Sequence, residues 1–560
     1  MIYESPWPKV ELPECSVWDK VWSNPRNKAE KDLAVIDGPS GRTLTRGQLR
    51  ELAQRTAQGF RRSLNPGSVV LLFSPNSFYY HAIVLATQCG GLVFSGANAA
   101  YTPTEFAHQV QDSGAELLLV HPQNLGVALA ATKDLGWSEK RQVEKIILAV
   151  RKDEALGADE RFLTLDSLID DKPLEAHRIA SPKTTVAYLG YSSGTSGKAK
   201  GVRTSAYNMT SVLSMLAPLN RDLTDKDVSL AVLPLNHIYG LTKLLHWPVM
   251  MGTPVLVMPK YELKQLCQLV ERHKVTILML VPPIALALAR DPIARKHDLG
   301  SLRLVISGAA PLGPELENEL AGRIPKCDVI QAYGLTESSP TTHVCLKPYS
   351  RRGSIGPNLP MLRSRIVDPE TNEDLGPNKS GELLLCAPSI MLGYHNKPEA
   401  TAETLVKDEN GDIWLKTGDI AHYDDDGCCY ITDRIKDLIK VKGLQLAPAE
   451  MEESLRTSPL VADAGVTSIY DDNEATEYPR AYVVPNDKEC LVPGPKATKF
   501  AHDLRAFVES KHASFKWIRG NFVIVDQIPK SPSGKILRRL LKDTKGNFVK
   551  VYEERIRAKL

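Results

Sequence analysis

Three features of the sequence predict an α/β protein built of layered, largely parallel sheets and followed by a smaller α+β domain. Short β-branched and aliphatic runs alternate with amphipathic stretches through most of the chain, the pattern of sheets covered by helices. A length of 560 residues allows several hydrophobic cores. After Tyr430-Ile-Thr-Asp-Arg-Ile-Lys-Asp437 the chain becomes more charged and mixes helix with strand.

Residues 1 to about 42 are rich in Pro and Trp and are expected to wrap over the surface. From Leu44 the alternation begins, with a helix over Arg46–Arg62 and strands at Val69–Phe73, Glu116–Val120 and Lys145–Val150. The polar, acidic segment Lys152–Pro182 reads as a surface insertion. Strands are expected at Val228–Leu233, Pro254–Met258, Thr276–Val281, Leu302–Ser307 and Val329–Gln331, each beside a helical run. Shorter strands and more turns from Gly353 to Leu385 suggest a small β-barrel-like subdomain.

Composition excludes several classes. A net charge of +3 without a long like-charged block gives no footprint for nucleic acid. Nine scattered cysteines lack C-x-x-C spacing, and the adjacent Cys428-Cys429 matches no metal-ligand pattern, so free thiols in a reduced compartment are expected. Met1-Ile-Tyr-Glu-Ser-Pro-Trp-Pro8 lacks the basic start and apolar core of a secretion signal. The most apolar run, Thr276–Ala289, is short and broken by Pro282-Pro283, so it reads as a buried strand and helix, and no membrane span is expected.

Chemistry concentrates first in Tyr188-Leu-Gly-Tyr-Ser-Ser-Gly-Thr-Ser-Gly-Lys-Ala-Lys-Gly-Val202. An apolar strand runs into a turn crowded with hydroxyls, glycines and two lysines. Such a loop can turn backbone N–H groups, hydroxyls and an ammonium toward one polyphosphate. It is not a Walker A loop: Gly194 and Gly197 are too close, and no Ser or Thr follows Lys198. The loop closely resembles the signature of the adenylate-forming superfamily, nearest the acyl-CoA synthetases of the 4-coumarate–CoA ligase type. Resemblance runs from about Thr43 to about Leu541 through several motifs in matching order.

That resemblance implies ATP, Mg²⁺ and coenzyme A as co-substrates and cofactor, a small carboxylic acid as substrate, and two domains. Residues 1–433 would form the AMP-binding domain and 434–560 a mobile one, hinged near Lys436. Ser192, Ser193, Gly194, Thr195, Ser196, Gly197 and Lys200 would hold the phosphates. In Gln331-Ala-Tyr-Gly-Leu-Thr-Glu337, the nucleotide would meet Gln331, Ala332, Tyr333 on the adenine face and Thr336 on the α-phosphate. Glu337 would hold Mg²⁺, which favours one carboxylate plus phosphate oxygens. Asp419 would accept the ribose hydroxyls, with Arg434 and Lys436 nearby. Lys535, in Pro529-Lys-Ser-Pro-Ser-Gly-Lys535, would bridge substrate carboxylate and α-phosphate during adenylation. Lys440 would serve thiol transfer, and Lys260, Lys442 and Gly443 would meet CoA. His237 would close the acid pocket, and Tyr239, Lys243, Ser307, Ala309, Gly334, Pro340 and Val344 would surround the acid's tail.

Within this family the motifs imply an acid–CoA ligase. An assembly-line adenylation module is the first alternative, but no Gly-Gly-x-Ser carrier signature follows Lys535 and no acidic residue lies in Ala231–Trp247. A luciferase-like oxygenase shares the same motifs. A non-catalytic member is disfavoured by the intact lysine motifs and Glu337. Ala332 and Lys243 stand where plant coumarate ligases usually carry Gly and a small residue, departures that leave the reaction untouched and the identity of the acid open. Lys243 either points outward into water or faces the acid's tail. The ending Ala558-Lys-Leu560 is similar to the tripeptide read by peroxisomal import receptors, so a peroxisomal location is expected.

Overall fold

The computed structural model describes residues 1–155, 157–192, 199–434, 437–441, 444–471, 476–512, 514–531 and 534–552. Two of its sheets are parallel through most of their width. In the seven-stranded sheet the spatial order is Lys200–Ser205, Val186–Ser192, Val93–Ala97, Val69–Phe73, Leu117–Val120, Ile146–Leu148 and Leu163–Thr164. Only the pair Val186–Ser192 and Lys200–Ser205 is antiparallel. The eight-stranded sheet runs Thr341–Val344, Asp328–Gly334, Leu304–Ser307, Ile277–Leu280, Ser229–Ala231, Val255–Val257, Leu33–Asp37 and Thr43–Thr45, antiparallel at its two edges. Their strands are near-continuous apolar runs because both faces are covered, as at Val69–Phe73.

The helices follow from local chemistry. Arg46–Arg61 starts on a capping box in which Thr45 accepts from the Gln48 N–H and Gln48 answers the Thr45 N–H. Pro103–Ser113 repeats the device with Thr102 and Glu105 and stops at Gly114, whose φ of 64° suits glycine. The run Thr276–Ala289 is a strand followed by the helix Pro282–Arg290, both packed in the core, and no described helix is long and apolar enough to cross a membrane.

Two expectations are corrected. Residues 1–42 do not merely wrap: Ile2–Glu4 joins a six-stranded antiparallel sheet, and Leu33–Asp37 lies inside the eight-stranded one. The segment Lys152–Pro182 is not a surface insertion. It supplies the edge strand Leu163–Thr164, and Leu165 and Leu168 are buried, Leu168 so close to Gly59 that a Cβ there would sit 1.9 Å from its carbonyl oxygen. Polar residues flank a short apolar anchor, which a composition average hides.

The expected β-rich subdomain is the six-stranded sheet of Ile2–Glu4, Arg363–Val367, Gly381–Cys386, Ile413–Tyr423, Leu405–Lys407 and Cys429–Arg434. It extends well past Leu385. A buried network ties it to the eight-stranded sheet: His343 Nε2 meets the Tyr423 hydroxyl at 2.8 Å, and that hydroxyl reaches Asn358 Oδ1 at 2.7 Å. Burial drives His343 down to about 3, so it stays neutral and can share hydrogen bonds without stranding a charge.

From Ile439 a second core forms around Leu446, Leu455, Ala481, Phe500, Leu504 and Phe522. It lies between helices Pro448–Arg456 and Pro495–Lys511 and a four-stranded sheet of Val461–Asp471, Thr476–Pro485, Phe522–Ile524 and Asn547–Val549. The α+β character expected after residue 437 is therefore observed.

Candidate active site

A cleft of about 370 Å³ lies where residues of the second core meet the C-terminal ends of the eight-stranded sheet. Ala309, Gln331, Ala332, Tyr333, Gly334 and Asp419 line it from one side, Asp437 and Lys535 from the other. Seven residues singled out in the sequence thus converge, from segments more than two hundred residues apart.

Tyr333 and Asp419 are in direct contact, the hydroxyl donating to Oδ2 at 2.5 Å. Asp419 is held by a bulge: Gly418 takes a φ of 70°, its N–H donates to Glu382 Oε1, and the Asp419 N–H donates to Thr417 Oγ1. A left-handed residue at 418 turns the carboxylate toward the cleft and explains the glycine in Thr417-Gly-Asp419. Arg434 lies opposite Asp419 in the ladder. Gly334 is required by packing, since a Cβ there would fall 1.8 Å from the Pro340 carbonyl oxygen. Ala309 adopts a φ of 67°, costly for a residue with a side chain and common where a site fixes its backbone.

Lys535 arrives on a tight turn. Ser531 N–H donates to the Lys535 carbonyl at 2.8 Å, and Gly534 N–H donates to the Ser531 carbonyl at 2.8 Å with φ 79°. Gly534 rests against Pro283, where a Cβ would lie 2.9 Å from Cδ. The lysine motif therefore docks on the helix Pro282–Arg290 and presents Lys535 to the cleft.

Around the phosphate loop, Ser192 and Lys200 pair across an antiparallel hairpin. Ser193, Gly194, Thr195, Ser196 and Gly197 lie outside the described residues. Thr336 stands beside the strand entering the loop, its Cγ2 3.3 Å from where a Gly190 Cβ would be. Glu337 Oε1 accepts from the Tyr394 hydroxyl at 2.9 Å, and Lys200 Nζ lies 4.8 Å above the Tyr394 ring. Tyr394 was missed in the sequence: it orients the metal-ligand candidate and carries the loop lysine. Its only signal is an aromatic residue after Gly393.

Gln331 lines the cleft, yet its amide already serves the fold. Oε1 accepts from the Leu312 N–H at 2.8 Å and Nε2 approaches Glu317 Oε2 at 3.5 Å. Burial raises the Glu317 carboxyl, another group the sequence did not flag.

Of the residues expected around the acid, Ala309 and Gly334 line the cleft and the others sit behind this wall. His237 caps the turn Ile238–Gly240, Nδ1 accepting from the Tyr239 N–H at 3.2 Å, and burial lowers it to about 4, so it is neutral at physiological pH. The Tyr239 hydroxyl donates to the Ile306 carbonyl at 3.3 Å and its ring packs on Gly308. Val344 pairs with Ala332, Pro340 accepts from the Leu335 N–H at 3.1 Å, and Ser307 is buried with an unpaired hydroxyl among the described residues. Lys243 is fully buried, which overturns the outward, solvated alternative. Its amine has no hydrogen-bond partner among the described residues.

Of the remaining lysines, two are described in part or whole. Lys260 is exposed after the strand Val255–Val257. Lys440 lies in the hairpin Ile439–Val441/Leu444–Leu446, its backbone opposite Gln445. Lys436, Lys442 and Gly443 fall outside the described residues.

A family model described as "AMP-binding enzyme" matches residues 22–395, and one described as "AMP-binding enzyme C-terminal domain" matches residues 450–535. The chain belongs to the AMP-binding enzymes. Curated relatives of this AMP-binding enzyme include 4-coumarate-CoA ligase 1 of Narcissus pseudonarcissus, 36% identical over 91% of this chain and 90% of that one. A probable 4-coumarate–CoA ligase 1 of Dictyostelium discoideum is 35% identical over 97% of both. Among solved structures, the o-succinylbenzoate CoA synthetase of Bacillus subtilis with its acyl-adenylate has a TM-score of 0.75 at 26% identity, over 96% of this chain and all of that one. The anthranilate CoA ligase AuaEII with anthranoyl-AMP has a TM-score of 0.82 at 24% identity, over 95% and 98%, a likeness of fold.

Proposed function

We propose that the enzyme is an ATP-dependent acid–CoA ligase. The observation that carries this is the meeting of Tyr333, Asp419 and Lys535 at one cleft, beside the hairpin that frames the phosphate loop. A carboxylate oxygen of the acid attacks the α-phosphorus of ATP, pyrophosphate leaves, and acyl-AMP forms. The thiol of CoA then attacks the acyl carbonyl, losing its proton, and AMP departs. The first step brings two anions together, and Lys535 reduces their repulsion as charge builds on the phosphoryl oxygens. Asp419 accepts from the ribose hydroxyls in place of the Tyr333 hydroxyl it now binds. Thr336 donates to the α-phosphate and neutral His237 closes the acid side without repelling or protonating the carboxylate.

The donor set near the loop fits Mg²⁺: the Glu337 carboxylate, held by Tyr394, would supply one oxygen ligand beside phosphate oxygens. Bound there, the metal would supply positive charge that lowers repulsion between the phosphates and the incoming carboxylate. Lys440, Lys442, Gly443 and Lys260 belong to the thiol-transfer step, reached when the region 434–560 reorients about a hinge near Lys436. The Ala558-Lys-Leu560 tripeptide, outside the described residues, directs the enzyme to the peroxisome through an import receptor.

The two half-reactions separate the roles. Lys535→Ala lowers acid-dependent pyrophosphate release by about 100-fold or more but still converts supplied acyl-AMP to thioester. Lys440→Ala does the reverse. Loss of the same half-reaction in both variants would overturn the reorientation scheme, and no pyrophosphate release with any acid would overturn the ligase reading.

A further inference from the structure

Lys243 is a functional-site candidate whose chemistry the reaction above does not use. It sits in the middle of Leu241–His246, a π-helical stretch between Ile238–Gly240 and Trp247–Met251. Wide turns of this kind are uncommon and concentrate at functional sites. Its side chain is fully buried and its amine unpartnered among the described residues, while the neighbouring Thr242 hydroxyl donates to the Ser339 carbonyl and the Leu244 carbonyl meets His81. Burial lowers the proton affinity of the Lys243 amine, and no ion pair offsets it among the described residues.

Its position points to the acid. Tyr239 and Lys243 are four residues apart, close to one turn of either helix type, so they share a face. Tyr239 packs on Gly308, and Gly308 abuts the Ala332 carbonyl. Ala309 and Ala332 line the cleft. Tyr239 therefore lies behind the cleft wall, and Lys243 is one turn further along the same face. A hydrocarbon side chain would fill such a place without stranding a polar group. A residue that breaks this local rule in a binding region is expected to do so for its ligand.

We infer that Lys243 selects the acid: its amine receives an oxygen at the far end of the substrate, so the enzyme prefers a hydroxy-, keto- or dicarboxylic acid to one with a plain hydrocarbon tail. This rests on the ligase reading above. An oxygen acceptor gives the buried amine the hydrogen bond the protein withholds, and a tail ending in methyl leaves it unmade. Lys243 acts at the end remote from the reacting carboxylate, so it governs preference between acids more than the chemical step.

The test compares acids of equal length ending in carboxylate, hydroxyl, keto or methyl groups, using the full-length enzyme and acid-dependent pyrophosphate release. The wild type is expected to favour at least one polar-ended acid, and Lys243→Met to reduce the polar-to-methyl ratio of kcat/KM about ten- to a hundredfold while still turning over the methyl-ended acid. Lys243→Gln is expected to keep hydroxyl or keto acids and lose the carboxylate arm, and it supplies the ratio if the Met variant does not fold. A wild type that prefers methyl-ended acids, or a ratio unchanged in the variants, overturns the inference alone. No release with any acid instead refutes the ligase reading.

Discussion

Replacing Lys243 by Met has a consequence for stability that can be worked from its burial. Burial holds the amine at about 7, against 10.5 for an ordinary lysine. A group whose folded value is depressed binds more protons in the unfolded chain between those two values, so stability rises with pH across that window. At pH 7 and below nearly the full penalty applies, about 4 to 5 kcal/mol, because each tenfold loss of proton affinity on folding costs about 1.4 kcal/mol. Near pH 10.5 it has almost vanished, because a neutral amine is then buried from a neutral reference. The neighbouring histidines do not confuse the window: burial lowers His246 to about 3 and His81 to about 4, so both are neutral throughout. Lys243→Met is therefore expected to be the more stable protein at pH 7, its advantage shrinking steadily toward pH 10. Thermal or urea unfolding of both proteins from pH 6 to 10 reads this directly. A gap that stays constant with pH, or a wild type more stable at pH 7, would refute the reasoning.

Asp419→Asn keeps the shape at the bulge but weakens acceptance of two hydroxyls, and is expected to raise KM for ATP about ten- to a hundredfold with a smaller fall in kcat. Tyr394→Phe removes the hydroxyl that holds Glu337 and should raise the Mg²⁺ concentration needed for half-maximal activity, with acid KM unchanged. Arg303→Met strands the buried Asp227 carboxylate that its guanidinium pairs at 2.6 Å, and is expected to destabilise the protein by about 3–5 kcal/mol in denaturant titration. A fluorescent fusion is expected to be punctate with Ala558-Lys-Leu560 and diffuse without it; diffuse signal from both would remove the peroxisomal assignment.

The parallel strands were legible because burial on both faces leaves an unbroken aliphatic signal, as at Val69–Phe73 and Ile277–Leu280. The convergence of Tyr333, Asp419 and Lys535 was legible only through motif resemblance, since no local pattern says that positions two hundred residues apart meet. Tyr394 was not legible: a tyrosine takes its role here from Glu337 and Lys200, both far away along the chain. Nor were Leu33–Asp37 and Leu163–Thr164, short strands set among polar neighbours that dilute periodicity. Lys243 shows the opposite case, an identity conspicuous in sequence whose direction only packing could decide.

The strand Ile2–Glu4 pairs with Arg363–Val367, and the Tyr3 ring stacks on Tyr423 at 3.9 Å. The sheet that aims Asp419 thus closes across about 360 positions of chain. At a synthesis rate of about 5–20 residues per second, roughly 20–70 s separate the emergence of the two strands from the ribosome. Through that interval Ile2–Glu4 waits without its partner, while the seven-stranded sheet can assemble from strands already made. The Asp419 side of the cleft is accordingly a late product of folding, and its completion is set by the chain's topology and not by local helix formation.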